Sequence, residues 1–188
     1  GRIDGLEAKQ NNYEAGSFSD TTTLSGKAVF AIGAIDHPVE QHDGVDAEAL
    51  TAQYQYTMDL NTSFTGDDNL YVRLRTGNGD GTPFGSSTYG TYLSSNSSKY
   101  SDNLAVDKIW YTFPVGESNT VWVGPKIENY YMHATAPSIY KPTLKQFALG
   151  GNGAAYGAST KAGAGWAYRA DNGFAVSSNI VSANTCLL

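Results

Sequence analysis

Several absences narrow the possibilities before any pattern is read. The chain has one cysteine, Cys186, among 188 residues. That excludes an internal disulfide framework and any zinc site built on several thiolates. No stretch approaches the roughly 18 to 20 consecutive apolar residues of a membrane-spanning helix. The longest apolar run, residues 28–35, is broken by Gly33. Only 16% of residues are charged, the net charge is −6, and no basic cluster is visible, which excludes nucleic acid as a partner. No Ser, His and Asp set, paired acid or activated cysteine can be recognised, so no enzyme and no cofactor is expected. A charged and apolar leader is missing at Gly1, so a signal peptide is expected to have been removed or to lie outside these residues.

His37, Glu40, His42 and Asp43 are close enough in sequence to suggest a metal site. Neighbouring positions in one loop lack a scaffold, and they read more simply as solvated charge. The GNGDG run at 77–81 lacks the Lys-Ser/Thr pair of a phosphate loop and the carboxylate spacing of a calcium loop, and reads as a turn. No metal is expected.

What the chain has in quantity is 21 glycines, 13 tyrosines and many Ser, Thr and Asn, a composition that favours strands and turns. Residues 1–16 stand apart. Ile3, Leu6, Gln10 and Tyr13 fall at helical spacing, with Gly16 as a stop, so the segment reads either as the end of a helical or coiled-coil linker or as a polar leader. Residues 17–188 form the second unit.

From Thr21 the period becomes two. Leu24, Gly26, Ala28, Phe30, Ile32 and Ala34 make one face of a first strand. In the second, Ala52, Tyr54, Tyr56, Met58, Leu60, Thr62 and Phe64 alternate with Gln53, Gln55, Thr57, Asp59, Asn61 and Ser63. A turn at 65–69 leads into Leu70, Val72 and Leu74, which alternate with Tyr71, Arg73 and Arg75. Two more hairpins repeat the design, 104–113 with 120–128 around a turn at 114–119, and 161–170 with 174–183 around a turn at 171–173. Leu104 and Val106 are out of phase with Ile109, Tyr111 and Phe113, and a bulge near Asp107 repairs the phase.

About seven strands result, and the connections between them alternate strictly between about three to six residues and the long stretches 36–48, 77–102 and 129–160. Outer-membrane barrels segregate short turns and long loops on opposite sides in this way. The first two strands, about 12 to 14 residues each, suffice for a tilted span of about 9 to 11. Phe64, Phe113, Trp166 and Phe174 lie next to short turns, where an interfacial aromatic girdle would sit.

Together, RIDGLEA (2–8), FSDTTTLSGKAVFAIG (18–33), LNTSFTGDDNLYVRLRTGN (60–78), LAVDKIWYTFPVG and TVWVGPKIE (104–128) resemble the cyanobacterial, Som-type outer-membrane porins related to the carbohydrate-selective OprB porins. The resemblance implies an all-β, antiparallel transmembrane β-barrel in the bacterial outer membrane, passing inorganic ions and small solutes, carbohydrates among them. It also implies a homotrimer and a periplasmic domain, absent from these residues, that binds the cell wall. A complete barrel of this kind needs about 16 or more strands, so the chain is expected to be its N-terminal portion.

On this reading Lys27, Asp59, Arg73, Arg75, Lys126 and Glu128, all on polar strand faces, are the pore-lining candidates, and the lipid bilayer covers the apolar faces. The third long loop, with Tyr130, Tyr131, His133, Tyr140, Lys141 and Lys145, is the candidate to fold into the channel, with an ordinary outer loop as its alternative. The rival for the whole chain is a soluble or surface-attached β-sandwich for carbohydrate binding or adhesion, its Tyr-rich and Trp-containing loops forming the binding surface.

Overall fold

A computed structural model describes residues 20–36, 41–42, 45–46, 50–85, 91–95, 100–135, 143–147 and 159–182. The expected helical segment 1–16 and Cys186 lie outside them. The strands are β1 (Thr22–Gly33), β2 (Gln41–His42), β3 (Val45–Asp46), β4 (Thr51–Thr62), β5 (Asn69–Gly77), β6 (Ala105–Val115), β7 (Asn119–Glu128), β8 (Thr160–Arg169) and β9 (Ala175–Ser182). Seven of them form one antiparallel sheet in the order β1-β4-β5-β6-β7-β8-β9, each beside its sequence neighbour. The all-β meander expected from the alternation is what the structure contains. β2 and β3 are a separate hairpin inside the first long connection, too short for alternation to reveal.

All three short turns fall at one end of the sheet and all three long connections at the other. Each short turn carries a glycine with positive φ, namely Gly66 (99°), Gly116 (66°) and Gly173 (88°), a conformation that side chains with a Cβ resist. The β6–β7 turn is tighter than its sequence suggested. β6 continues through Pro114 and Val115, beyond its last pair with β5 at Thr112, where one flank is open and a missing N–H is tolerated.

The bulge expected near Asp107 is present. Arg73 pairs with Lys108 and Leu74 with Val106, which leaves Asp107 without a partner in the ladder. A second bulge was not foreseen: the register of β7 shifts between Gly124 and Ile127 against β8, and β6 shows the matching shift between Ile109 and Tyr111. A Cβ at Gly124 would lie 2.5 Å from Trp110 Cβ and 2.7 Å from the Ile109 carbonyl oxygen, so the strands can approach here only at glycine.

The β4–β5 turn is built around Asp68. Its Oδ1 accepts from Ser63 Oγ (2.8 Å) and from the backbone N–H groups of Phe64 (2.9 Å) and Thr65 (2.8 Å), and its Oδ2 accepts from the Tyr111 hydroxyl (2.5 Å). The Tyr111 bond, followed by the Thr65 N–H, holds the carboxyl well below the usual carboxylate range. A depressed folded-state pKa stabilises the fold above the unfolded value of about 3.9 and loses that contribution as pH falls through the folded value. Asp68→Asn is therefore expected to lower the thermal unfolding midpoint at pH 7. The midpoints of variant and parent should draw together as pH falls below about 4.

Candidate functional site

Cross-strand partners share a face, so the registers sort every strand residue. Thr23, Ser25, Lys27, Val29 and Ala31 of β1 pair with Asn61, Asp59, Thr57, Gln55 and Gln53 of β4. Those β4 residues lie beside Tyr71, Arg73 and Arg75 of β5, which pair with Trp110, Lys108 and Ala105 of β6. Trp122 of β7, Gly165 and Ala167 of β8, and Asn179 and Ser177 of β9 continue this polar face.

The other face is apolar and open. Phe30 (79% exposed), Ile32 (75%) and Ile180 (72%) lie on it with Val72, Ile109, Val123, Trp166 and Val176. Phe64, Tyr111 and Phe113 adjoin one another beside the short turns, with ring centroids 6.5 and 5.6 Å apart, and Trp166 and Phe174 lie exposed near the same end. No helix among the described residues is long and apolar enough to cross a membrane, so any crossing falls to the strands.

Burial is inverted relative to a water-soluble sheet. Gln53, Thr57, Tyr71, Lys108, Trp110, Trp122 and Ala167 are buried, and all lie on the polar face. The chain's own long connections cover them. From the second, Thr82 Oγ1 donates to Gln53 Oε1 (2.9 Å), and Phe84 packs where Gly33 has no side chain. From the third, the short helix Asn129–Met132 lies against the wall, and a Cβ on Gly165 would come within 2.7 Å of Met132 Sδ. The two connections also join each other: Leu93 bridges Leu144, Lys145 N donates to the Tyr92 carbonyl (2.7 Å), and Ser94 N donates to the Thr143 carbonyl (2.9 Å).

Ion pairs run across this covered face. Arg73 Nε donates to Asp59 Oδ1 at 2.7 Å, and Tyr71 donates its hydroxyl to the same oxygen. Arg75 Nη2 lies 3.5 Å from Asp107 Oδ2, whose partner Oδ1 accepts from Tyr100 at 2.6 Å. Lys108 pairs with Glu128. A row of rings adjoins the pairs, with centroids 4.3 Å apart for Tyr71 and Trp110, 5.0 Å for Trp110 and Tyr131, and 4.8 Å for Tyr131 and Tyr130. The Lys108 ammonium lies 4.9 Å from the Tyr131 centroid and 5.5 Å from that of Tyr130, so the quadrupoles of both rings help to hold the buried cation. Burial pushes the Tyr130 hydroxyl above the usual phenol range.

Five of the six residues selected from strand alternation come together here: Lys27, Asp59, Arg73, Arg75 and Glu128. Lys126 does not. The second bulge pairs it with Ile109 on the apolar face, exposed, with Nζ donating to the Val106 carbonyl. Of the loop candidates, Tyr130 and Tyr131 stack on the polar face, and His133 contributes its carbonyl there, accepting from Arg169 Nη2 at 3.3 Å. Lys145 belongs to the junction between the two loops, donating to the Tyr92 hydroxyl at 2.7 Å. Tyr140 and Lys141 lie outside the described residues, as do His37, Glu40 and Asp43. Among the described residues no group of three or more His, Cys, Asp or Glu is placed to hold a metal.

Sequence reasoning missed Asp107, Lys108, Trp110, Trp122 and Arg169. The signal for Lys108 and Trp110 was available, since they alternate with Ile109, Tyr111 and Phe113. Nothing marked Gly165 as the smooth spot on which Met132 of the third connection rests.

Comparison with known proteins agrees with this geometry. The profile described as "Carbohydrate-selective porin, OprB family" matches residues 1–185. The uncharacterized protein alr4550 of Nostoc sp. (strain PCC 7120) is 32% identical over 162 residues, which cover 82% of this chain and 27% of that protein. The chain thus spans about a quarter of the length of the curated relative it matches. No solved structure matches. An exposed apolar face, a polar face covered by the chain's own loops and a profile running almost end to end agree, and the chain belongs to the OprB family of carbohydrate-selective porins.

Proposed function

We propose that the chain is part of the wall of an outer-membrane porin of the cyanobacterial kind, a water-filled channel for passive diffusion of inorganic ions and small hydrophilic solutes, carbohydrates included. The observation that carries the reading is the inversion of the two faces. Apolar side chains on an open face suit lipid, and a polar, ion-paired face suits a wet lumen. The described parts of the second and third connections lie on the lumen side and narrow the bore. The working assembly is a homotrimer in the lipid bilayer, tied to the cell wall through a periplasmic domain, as the family resemblance implies.

The charges on this portion of the wall favour anions locally. Asp59, Asp107 and Glu128 cancel Arg73, Arg75 and Lys108 pairwise. Lys27, Lys161 and Arg169 remain without a carboxylate partner among the described residues. Full-length protein in a planar bilayer should give discrete ohmic steps. Lys27→Glu should move the reversal potential under a salt gradient toward cation preference. A protein that stays soluble without detergent and conducts nothing would return the reading to a carbohydrate-binding β-sandwich.

A further inference from the structure

Arg169, the last residue of β8, stands at the short-turn end of the wall, far from where the third connection leaves β7. Its Nε donates to the Ala134 carbonyl at 2.6 Å and its Nη2 to the His133 carbonyl at 3.3 Å. The guanidinium is itself fixed to the wall. Nη1 donates to Thr120 Oγ1 at 3.4 Å, and Cζ lies 6.0 Å from the centroid of the Trp122 ring. The backbone beneath it is pinned as well, Arg169 N donating to the Ser118 carbonyl at 2.9 Å.

Resting on the porin reading above, we infer that Arg169 is the positioning residue that latches the inward third connection flat against the lumen wall and so keeps the bore steadily open. Two points hold the connection to β8. Met132 sits against Gly165 in mid-strand, and the carbonyls of His133 and Ala134 sit on the guanidinium at the strand's end. The latch reads backbone acceptors, so it is indifferent to the side chains at 133 and 134. It also needs a planar fork, because three acceptors on two separate pieces of chain must be met at once. Lysine supplies the same charge as a single compact point and cannot span them. With the fork gone, residues 133 and 134 detach from the wall and enter the lumen, where they interrupt the current.

Full-length Arg169→Lys in a planar bilayer should keep the reversal potential of the parent, because the charge is unchanged. It should occupy interrupted or reduced-conductance states on the order of tenfold more, the factor expected for losing one charge-assisted hydrogen bond. Gly165→Leu, which displaces Met132, should reproduce the interruptions. A purely electrostatic or purely fold-stabilising role predicts uninterrupted Arg169→Lys channels, and that result would overturn the latch. If Arg169→Lys does not assemble, Ala134→Cys in a Cys186→Ser background decides. Ala134 is buried, so slow reaction with a water-soluble thiol reagent supports the latch and rapid reaction overturns it. Failure of the porin reading would look different, since the parent itself would then give no steps.

Discussion

Val123→Arg is expected to destabilise the folded protein in a bilayer by roughly 2–4 kcal/mol, the cost of an arginine on the lipid face near the membrane midplane. Val123 lies mid-way along β7, pairs with Tyr111 and Ala164 on the apolar face, and is 48% exposed. On a face bathed in water, the same substitution at a half-exposed position would fall within about 0.5 kcal/mol. The two readings therefore differ several-fold in one number. Ser25→Arg is the control, since Ser25 is exposed on the polar face, paired with Asp59, and should tolerate a cation within about 0.5 kcal/mol. Equilibrium urea unfolding from lipid vesicles reads both. A small loss for Val123→Arg beside a large one for Ser25→Arg would reverse the assignment of the faces.

Lys108→Met should be nearly as damaging, for a different reason. Only 8% of the Lys108 side chain and 13% of the Glu128 side chain are exposed, so removing the ammonium strands a carboxylate in a poorly hydrated place. A cost of about 3 kcal/mol is expected, with Glu128→Gln costing a similar amount. The double variant Lys108→Met with Glu128→Leu should recover most of it, because a well-packed apolar pair replaces two desolvated ions at little net cost. Additive losses in the double variant would mean that the two residues act independently, and that the stacked rings of Tyr130 and Tyr131 rather than Glu128 hold the lysine.

How far the alphabet of the chain led depended on what each feature leaves in it. Alternation of apolar and polar residues is a direct imprint of a sheet with two unlike faces, and it gave the seven strands and their turns. The Asp107 bulge was legible because Leu104 and Val106 broke phase with Ile109. The β7 bulge was not, since Gly124 and Pro125 fit either face and leave no break in pattern, and Lys126 was accordingly assigned to the wrong side. Alternation also cannot tell which face meets water. What supports the proposed orientation is that Gln53, Thr57 and Lys108 are buried while Phe30 and Ile180 are exposed. Loop lengths were readable, but the destination of the loops was only partly so. Tyr130, Tyr131 and His133 were selected for the channel and lie on the polar face. Arg169 grips carbonyl oxygens that every residue carries, and such a contact leaves no trace in the residues it touches. The part played by the second connection, through Thr82, Phe84 and Tyr92, was hidden because its contacts join residues far apart in the chain, which no local pattern records.

The central claim is that the polar face is a wet lumen and the apolar face lies on lipid. Single cysteines at Ser25 and Ser177 on the first face, and at Val123 and Ile180 on the second, test it most directly in a Cys186→Ser background reconstituted into vesicles. A charged, water-soluble thiol reagent should label Ser25→Cys and Ser177→Cys, while only a lipid-soluble reagent should label Val123→Cys and Ile180→Cys. Labelling of Val123→Cys and Ile180→Cys by the charged reagent, at the rate seen on the other face, would contradict it.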